Sequence, residues 1–157
     1  MSVAMLQVDE RLQATAHRRW NVGCGNYPLL YWTNCDESPG VPADVHVRVP
    51  PLPCSDASLD EVYAGHFLEH LAPQEADAFL DECRRCLVPG GRLGIVVPDT
   101  REIVKRCLRG DIDEVEYPLG TFRPIRDLDT LCEAFFYSTV QVSQHRWCYD
   151  LVTLRRL

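Results

Sequence analysis

Trp20-Asn21-Val22-Gly23-Cys24-Gly25 reads as a short buried strand that runs straight into a glycine turn. Glycine accepts backbone angles that other residues resist, and it has no side chain to block a ligand. Leu29 to Asp36 then reads as a second short segment that ends on an acid. A strand, a Gly-x-Gly turn and a carboxylate at the end of the next strand form a common nucleoside-holding arrangement in α/β sheets. The ligand lies against the turn's backbone, and the carboxylate accepts from two ribose hydroxyls. Gly-x-Gly alone is weak, so the reading depends on the rest of the chain.

The link between the two strands is short. Parallel neighbours normally need a crossover of roughly a dozen residues, yet only Asn26 to Leu30 precede Tyr31-Trp32-Thr33-Asn34-Cys35, and Pro28 breaks any long helix there. A nicotinamide-cofactor fingerprint wants a third glycine and an acid roughly 20 residues further on. Here no third glycine comes after Gly25 at that spacing and Asp36 comes too early, which disfavours a dehydrogenase.

Further along, Ala43 to Val49 alternates as a third strand before Pro50, Pro51 and Pro53, and Leu59 to Ala64 forms a fourth. Pro73 to Leu87 carries an apolar stripe of Ala76, Phe79, Leu80, Cys83 and Leu87, as an amphipathic helix does. Pro89-Gly90-Gly91 is expected to turn the chain into a fifth strand, Leu93 to Val97, whose unbroken apolar run implies burial on both faces. Asp99-Thr100-Arg101-Glu102 has the form of a capping box opening a helix to about Leu108. Residues 1–18 read as a helical extension laid on the domain. Residues 110–126 read as a loop, 127–136 as helical, and Asp150 to Leu157 as the start of another helix.

Composition fits one soluble domain. Of 157 residues, 46% are apolar and 25% charged. The net charge is −7, which argues against non-specific nucleic-acid binding. The acid excess lies before residue 100, with 14 acids against 7 bases, and the remainder balances at 9 and 9. No apolar run reaches the ~20 residues of a membrane span, and no basic-then-apolar leader pattern opens the chain. Eight scattered cysteines, several inside apolar segments, read as reduced buried thiols in a cytoplasmic protein rather than a disulfide framework. Cys83-Arg84-Arg85-Cys86 lacks a second knuckle and lies mid-helix, so no metal site is expected from it.

Six motifs in order carry a family resemblance. Trp20 to Gly25 and then Tyr31 to Asp36 resemble the first two motifs of class I S-adenosylmethionine-dependent methyltransferases, in the compact branch whose first crossover is cut to one turn. Leu52-Pro53-Cys54-Ser55-Asp56-Ala57-Ser58-Leu59-Asp60 is similar to that branch's proline loop. His66-Phe67-Leu68-Glu69-His70-Leu71 resembles its Leu-Glu-His-Leu signature. Arg85-Cys86-Leu87-Val88-Pro89-Gly90-Gly91 and Val97-Pro98-Asp99 resemble the segments on either side of its fifth strand. The resemblance covers about residues 19–100 and implies a three-layer, doubly wound Rossmann-like α/β sheet of about five mainly parallel strands, C-terminally abbreviated. Residues 19–157 would then be a methyltransferase-like domain lacking the last strands.

The resemblance also implies the site. Gly23, Cys24 and Gly25 would face the methionine part of S-adenosylmethionine, Asp36 the ribose, and His66 would lie near the cofactor. The acid that often meets the adenine amino group falls here on Val47 or Arg48, so those contacts would be backbone or apolar. His70 is the candidate base, against a reading in which the cluster only starts a helix and Glu69 bonds a nearby amide. Asp99 either caps a helix or reaches the substrate, and His145 is either a satisfied loop histidine or a second substrate contact. The implied activity is methyl transfer to a small-molecule or sugar-like acceptor; the alternative is a catalytically weak or inactive partner module. The bare edge of the fifth strand is expected to be covered by residues 136–142 or to lie in a homodimer contact.

Overall fold

The computed structural model describes residues 18–109 and 145–157, apart from the side chains of Arg106 and Cys107. Five strands form one sheet: β1 (Arg19–Val22), β2 (Thr33–Asp36), β3 (Val45–His46), β4 (Leu59–Gly65) and β5 (Leu87–Val96). Their order is β3-β2-β1-β4-β5, and every pairing is parallel. The expected five-stranded α/β sheet is therefore present. The N-terminal extension and the expected elements over 110–142 lie outside the described residues, as does the proposed cover for β5.

Between β1 and β2 the chain crosses over without a helix. The amides of Gly23 and Cys24 both donate to Cys35 O, at 2.8 and 3.1 Å, so the turn folds onto the end of β2 at once. The buried Asn34 side chain holds the rest of the crossover. Its Oδ1 accepts from Leu29 N at 2.7 Å and from Asn21 Nδ2 at 3.0 Å, and its Nδ2 donates to Leu29 O, Trp32 O and Asp44 Oδ2. Asp44 Oδ2 also accepts from Asn34 N. One carboxamide thus supplies the turn with partners that a helix would find within itself. The same network explains β3. Asp44 bonds to Asn34, and Val47 N donates to Asp36 O. The regular strand is confined to Val45–His46, shorter than the Ala43–Val49 alternation implied.

Helix α1 (Pro73–Cys86) makes the crossover from β4 to β5. Pro73 occupies its first turn, where a missing N–H costs nothing. Ala72 N donates to the Glu75 carboxylate at 2.9 Å and closes that end. Ala76, Phe79, Cys83 and Cys86 bury against the sheet, together with Val22, Cys35, Val62 and Leu68. Arg85 fixes the proline loop to this helix: it donates to Leu52 O and Cys54 O and pairs with Asp56 and Glu82. Those carboxylates raise its pKa further above the ordinary value.

Pro89-Gly90-Gly91 does not form a separate turn. Strand β5 begins at Leu87, and the stretch from Leu87 to Arg92 faces only Leu59 to Glu61 of β4. The surplus bulges out, with Gly90 at φ +81°. No residue of β5 is fully buried, in contrast to the burial on both faces expected of it. Helix α2 (Thr100–Arg109) comes next, and Asp99 Oδ1 accepts from Glu102 N at 3.2 Å, so Asp99 is its cap. The last element is the short α3 (Leu151–Leu154), capped by Asp150 through Thr153 N. Among the described residues no helix is long and apolar enough to cross a membrane.

The packing leads to two expected outcomes. Asn34→Ala removes the partners of Leu29 N and of one Asn21 amide proton in a buried place, and should cost about 1–3 kcal/mol in denaturant unfolding. An unchanged midpoint would show that the network does not hold the crossover. Six cysteines of the described residues are free thiols. Burial above all pushes Cys35, Cys54 and Cys83 up to about 12. At pH 8 roughly one such thiol in ten thousand is the reactive thiolate. A thiol reagent should therefore modify exposed Cys148 before the buried Cys24, Cys35, Cys83 and Cys86 in native protein, and should find all eight thiols after unfolding under non-reducing conditions.

Candidate functional site

The C-terminal ends of β1, β2 and β4 lie side by side, and the candidate residues fall into two clusters there. The first is the glycine turn with Asp36. Gly23 and Gly25 both adopt positive φ, +67° and +51°, which a residue with a side chain occupies only at a cost. Asp36 Oδ2 accepts from Gly25 N at 2.9 Å and its Oδ1 from Ser38 N at 2.9 Å. The acid at the end of β2 is thus tied to the glycine turn. Cys24 is buried, and its thiol pKa is raised by burial first and by Asp36 next.

The two glycines are not equivalent. A Cβ on Gly23 would lie 2.4 Å from Cδ2 of Phe67, so its bare face is already filled by an aromatic ring from the segment after β4. Among the described residues, a Cβ on Gly25 would meet nothing within 4 Å. Open space over a positive-φ glycine, with a carboxylate beside it, is a cradle that fits a nucleoside-bearing cofactor. Neither Val47 nor Arg48 adds an acid to it. Val47 packs against the core, and Arg48 pairs with Glu75 at 3.2 Å.

The second cluster centres on Glu69. His66 follows β4 in the left-handed region, φ +54°, a conformation that a non-glycine residue holds only when its surroundings enforce it. Its amide donates to Val96 O at 2.8 Å. Its Nδ1 lies 3.2 Å from Glu69 Oε1, and that hydrogen bond raises the imidazole pKa against a smaller lowering by burial. Leu68–His70 is a single 3-10 turn. Glu69 is 1% exposed, and no amide of the described residues bonds its carboxylate. Its backbone carbonyl accepts instead from Arg146 N and Trp147 N, at 2.8 and 3.1 Å.

Those bonds bring a distant segment to the site. His145 Nε2 lies 3.8 Å from Glu69 Oε1, and the rings of His70 and His145 meet edge to face at 5.0 Å. Burial lowers the His145 pKa, with Glu69 opposing. Arg146 pairs with Glu75, and Thr100 N donates to Tyr149 O at 2.9 Å. A cleft between these parts is lined by Glu69, Pro98, Thr100, His145, Trp147, Cys148 and Tyr149. His70 and His145 therefore share one cluster, Asp99 is a helix cap beside it, and His66 joins that cluster through Glu69. Sequence reasoning underrated Glu69. The signal was an acid three residues after a histidine and one before another, which a tight turn gathers together.

A parallel sheet in this order, with a glycine turn after its first strand and a carboxylate ending the second, is a Rossmann-like α/β domain. Residues 31–95 match the family model of a methyltransferase domain, and that match supports a class I S-adenosylmethionine-dependent methyltransferase of the type 11 kind. The matched stretch runs from the end of the short crossover into β5 and begins after the glycine turn. No curated protein and no solved structure matches the chain.

The different surroundings of the two glycines set an order of stability. Gly25→Ala should cost only the left-handed backbone term, about 1–2 kcal/mol. Gly23→Ala carries that term and must also displace Phe67, so it should unfold at lower denaturant than Gly25→Ala. The reverse order in urea melts would mean that Phe67 does not pack on the turn.

Proposed function

We propose that the chain binds S-adenosylmethionine over Gly25, with Asp36 and the backbone of Gly23 and Cys24 completing the cradle and His66 at its edge, and transfers the methyl group to a small-molecule or sugar-like acceptor. The single observation that carries the reading is the open face of Gly25 beside the Asp36 carboxylate. Asp36 Oδ2 takes one N–H from the turn, and a carboxylate has further lone pairs for ribose hydroxyls. When bound, the cofactor supplies a methyl group on a sulfonium whose departure needs no proton.

What remains for the protein is mainly alignment of acceptor and methyl, worth many orders of magnitude in effective concentration. The rigid end of the sheet is suited to that. The turn is bonded to β2, Phe67 locks the turn to the segment after β4, and residues 145–149 close over Glu69. Beside Glu69, Pro98, Thr100, Trp147 and Tyr149 bring polar and aromatic side chains together. The net charge of −7 supports a small acceptor over a nucleic acid.

Calorimetric titration with S-adenosylmethionine and with its demethylated product tests the reading. Wild type should bind both. Asp36→Ala should weaken binding at least about tenfold, the loss of roughly one charge-assisted hydrogen bond, and Gly25→Val should abolish it. Wild-type affinity in both variants, each shown folded by circular dichroism, would remove the cradle from this position. With a labelled methyl donor, counts should enter the low-molecular-weight fraction of an extract; counts confined to nucleic acid would overturn the acceptor class.

A further inference from the structure

One oxygen of the Glu69 carboxylate is unexplained by the contacts around it. Glu69 is 1% exposed, and its Oε2 is buried with no hydrogen-bond partner among the described residues. A buried carboxylate oxygen without a partner is costly, and such groups are normally bonded, paired or bound to a metal. Its other oxygen faces His66 Nδ1 at 3.2 Å, which leaves Oε2 available.

Two imidazoles stand next to it. One ligand atom from each of Glu69, His70 and His145 falls within 4.8 Å of the others. Two atoms that each bind one zinc ion at ~2.0–2.1 Å are ~3.4 Å apart in tetrahedral geometry and at most ~4.2 Å apart in any geometry. The present separations reach beyond that range, so binding requires the three ligand atoms to draw together. The three residues are not a chance surface group. Glu69 and His70 share a single 3-10 turn at the end of β4, and His145 is fixed against them because Glu69 O accepts from the next two amides, Arg146 and Trp147.

We propose that Glu69, His70 and His145 bind a divalent first-row transition cation, of which zinc is the reference ion. Two imidazole nitrogens and one carboxylate suit such a cation, whereas magnesium and calcium favour sets made of oxygen. The cation neutralises the buried charge and takes the oxygen that the protein leaves unpaired. His66 is the outer partner that holds the carboxylate in orientation. Three protein ligands leave a coordination position for water or another oxygen donor, and the cleft lined by Pro98, Thr100, Trp147 and Tyr149 adjoins it. Cys83 and Cys86, the pair that spacing alone would nominate, are buried in the core face of α1 and take no part.

The full chain, stripped with a chelator and dialysed, is titrated with zinc sulfate by calorimetry and with cobalt(II) by absorption. One zinc per chain is expected, with cobalt bands of nitrogen and oxygen ligation and no thiolate charge-transfer band. His70→Ala should weaken zinc more than about 100-fold, beyond the 10–100-fold usual for an outer partner. His66→Ala should cost about tenfold, and His46→Ala, on β3, nothing. Glu69→Gln should behave as His70→Ala does. Should Glu69→Gln fail to fold, His70→Ala decides alone, since it leaves the buried carboxylate in place. No saturable zinc binding, unchanged affinity in His70→Ala, or a thiolate band would each overturn the proposal. No methyl donor enters the measurement, so its outcome is separate from that of the cofactor titration.

Discussion

The structure depends on a buried carboxamide that takes the place of a helix. A parallel crossover normally buries a helix on the sheet, and the helix satisfies its own backbone. Here the chain between β1 and β2 has no such element, so the amides and carbonyls of 27–32 need outside partners. Asn34, buried in β2, supplies them for Leu29 and Trp32, with Asn21 of β1 and Asp44 ahead of β3 completing the set. Three neighbouring strands are therefore tied by one polar network as well as by their ladders. A partly satisfied network of this kind would be worse than an apolar core. Each polar atom of the Asn34 side chain is occupied, and that lets so short a connection be stable.

That network also sets the geometry of the cradle. Because the chain reverses at once after Val22, the amides of Gly23 and Cys24 reach Cys35 O, and Gly25 N reaches the Asp36 carboxylate. A longer crossover could let the turn move relative to β2. Here the turn and the acid that would hold the two ends of a nucleoside are hydrogen-bonded to each other.

The parallel sheet, the helix over 73–86 and the cap at Asp99 were legible because each rests on a local rule: hydrophobic period, proline at a first turn, an acid three residues before a glutamate. What local rules could not reach was long-range. Pro89-Gly90-Gly91 has the composition of a turn, yet pairing of Leu87 with Leu59 keeps it inside β5 as a bulge. Gly23 reads as space for a ligand, yet the space is filled by Phe67, 44 positions along the chain. Glu69 reads as a helix-start acid, yet among the described residues its carboxylate takes no amide and faces His66 and His145 instead. Asn21 and Asn34 carried no signal at all, since a buried asparagine has no sequence pattern of its own.

The energetics of Glu69 bear on why residues 145–149 fold back onto the sheet. That segment contributes one large buried apolar group, Tyr149, while Trp147 and Cys148 remain exposed. Burial of one tyrosine is a modest gain against the ordering of several residues, each of which costs roughly 1–2 kcal/mol of backbone entropy. The polar contacts are what single out this place: two amides on Glu69 O, an ion pair from Arg146 to Glu75, and the Asp99–Tyr149 bridge. They also seal the Glu69 carboxylate from water, which raises the cost of leaving it alone. A segment whose docking buries a charge is favoured most when that charge acquires a partner in the same step. Closure of the segment and occupation of the Glu69 cluster are then thermodynamically linked, each strengthening the other by the same free energy.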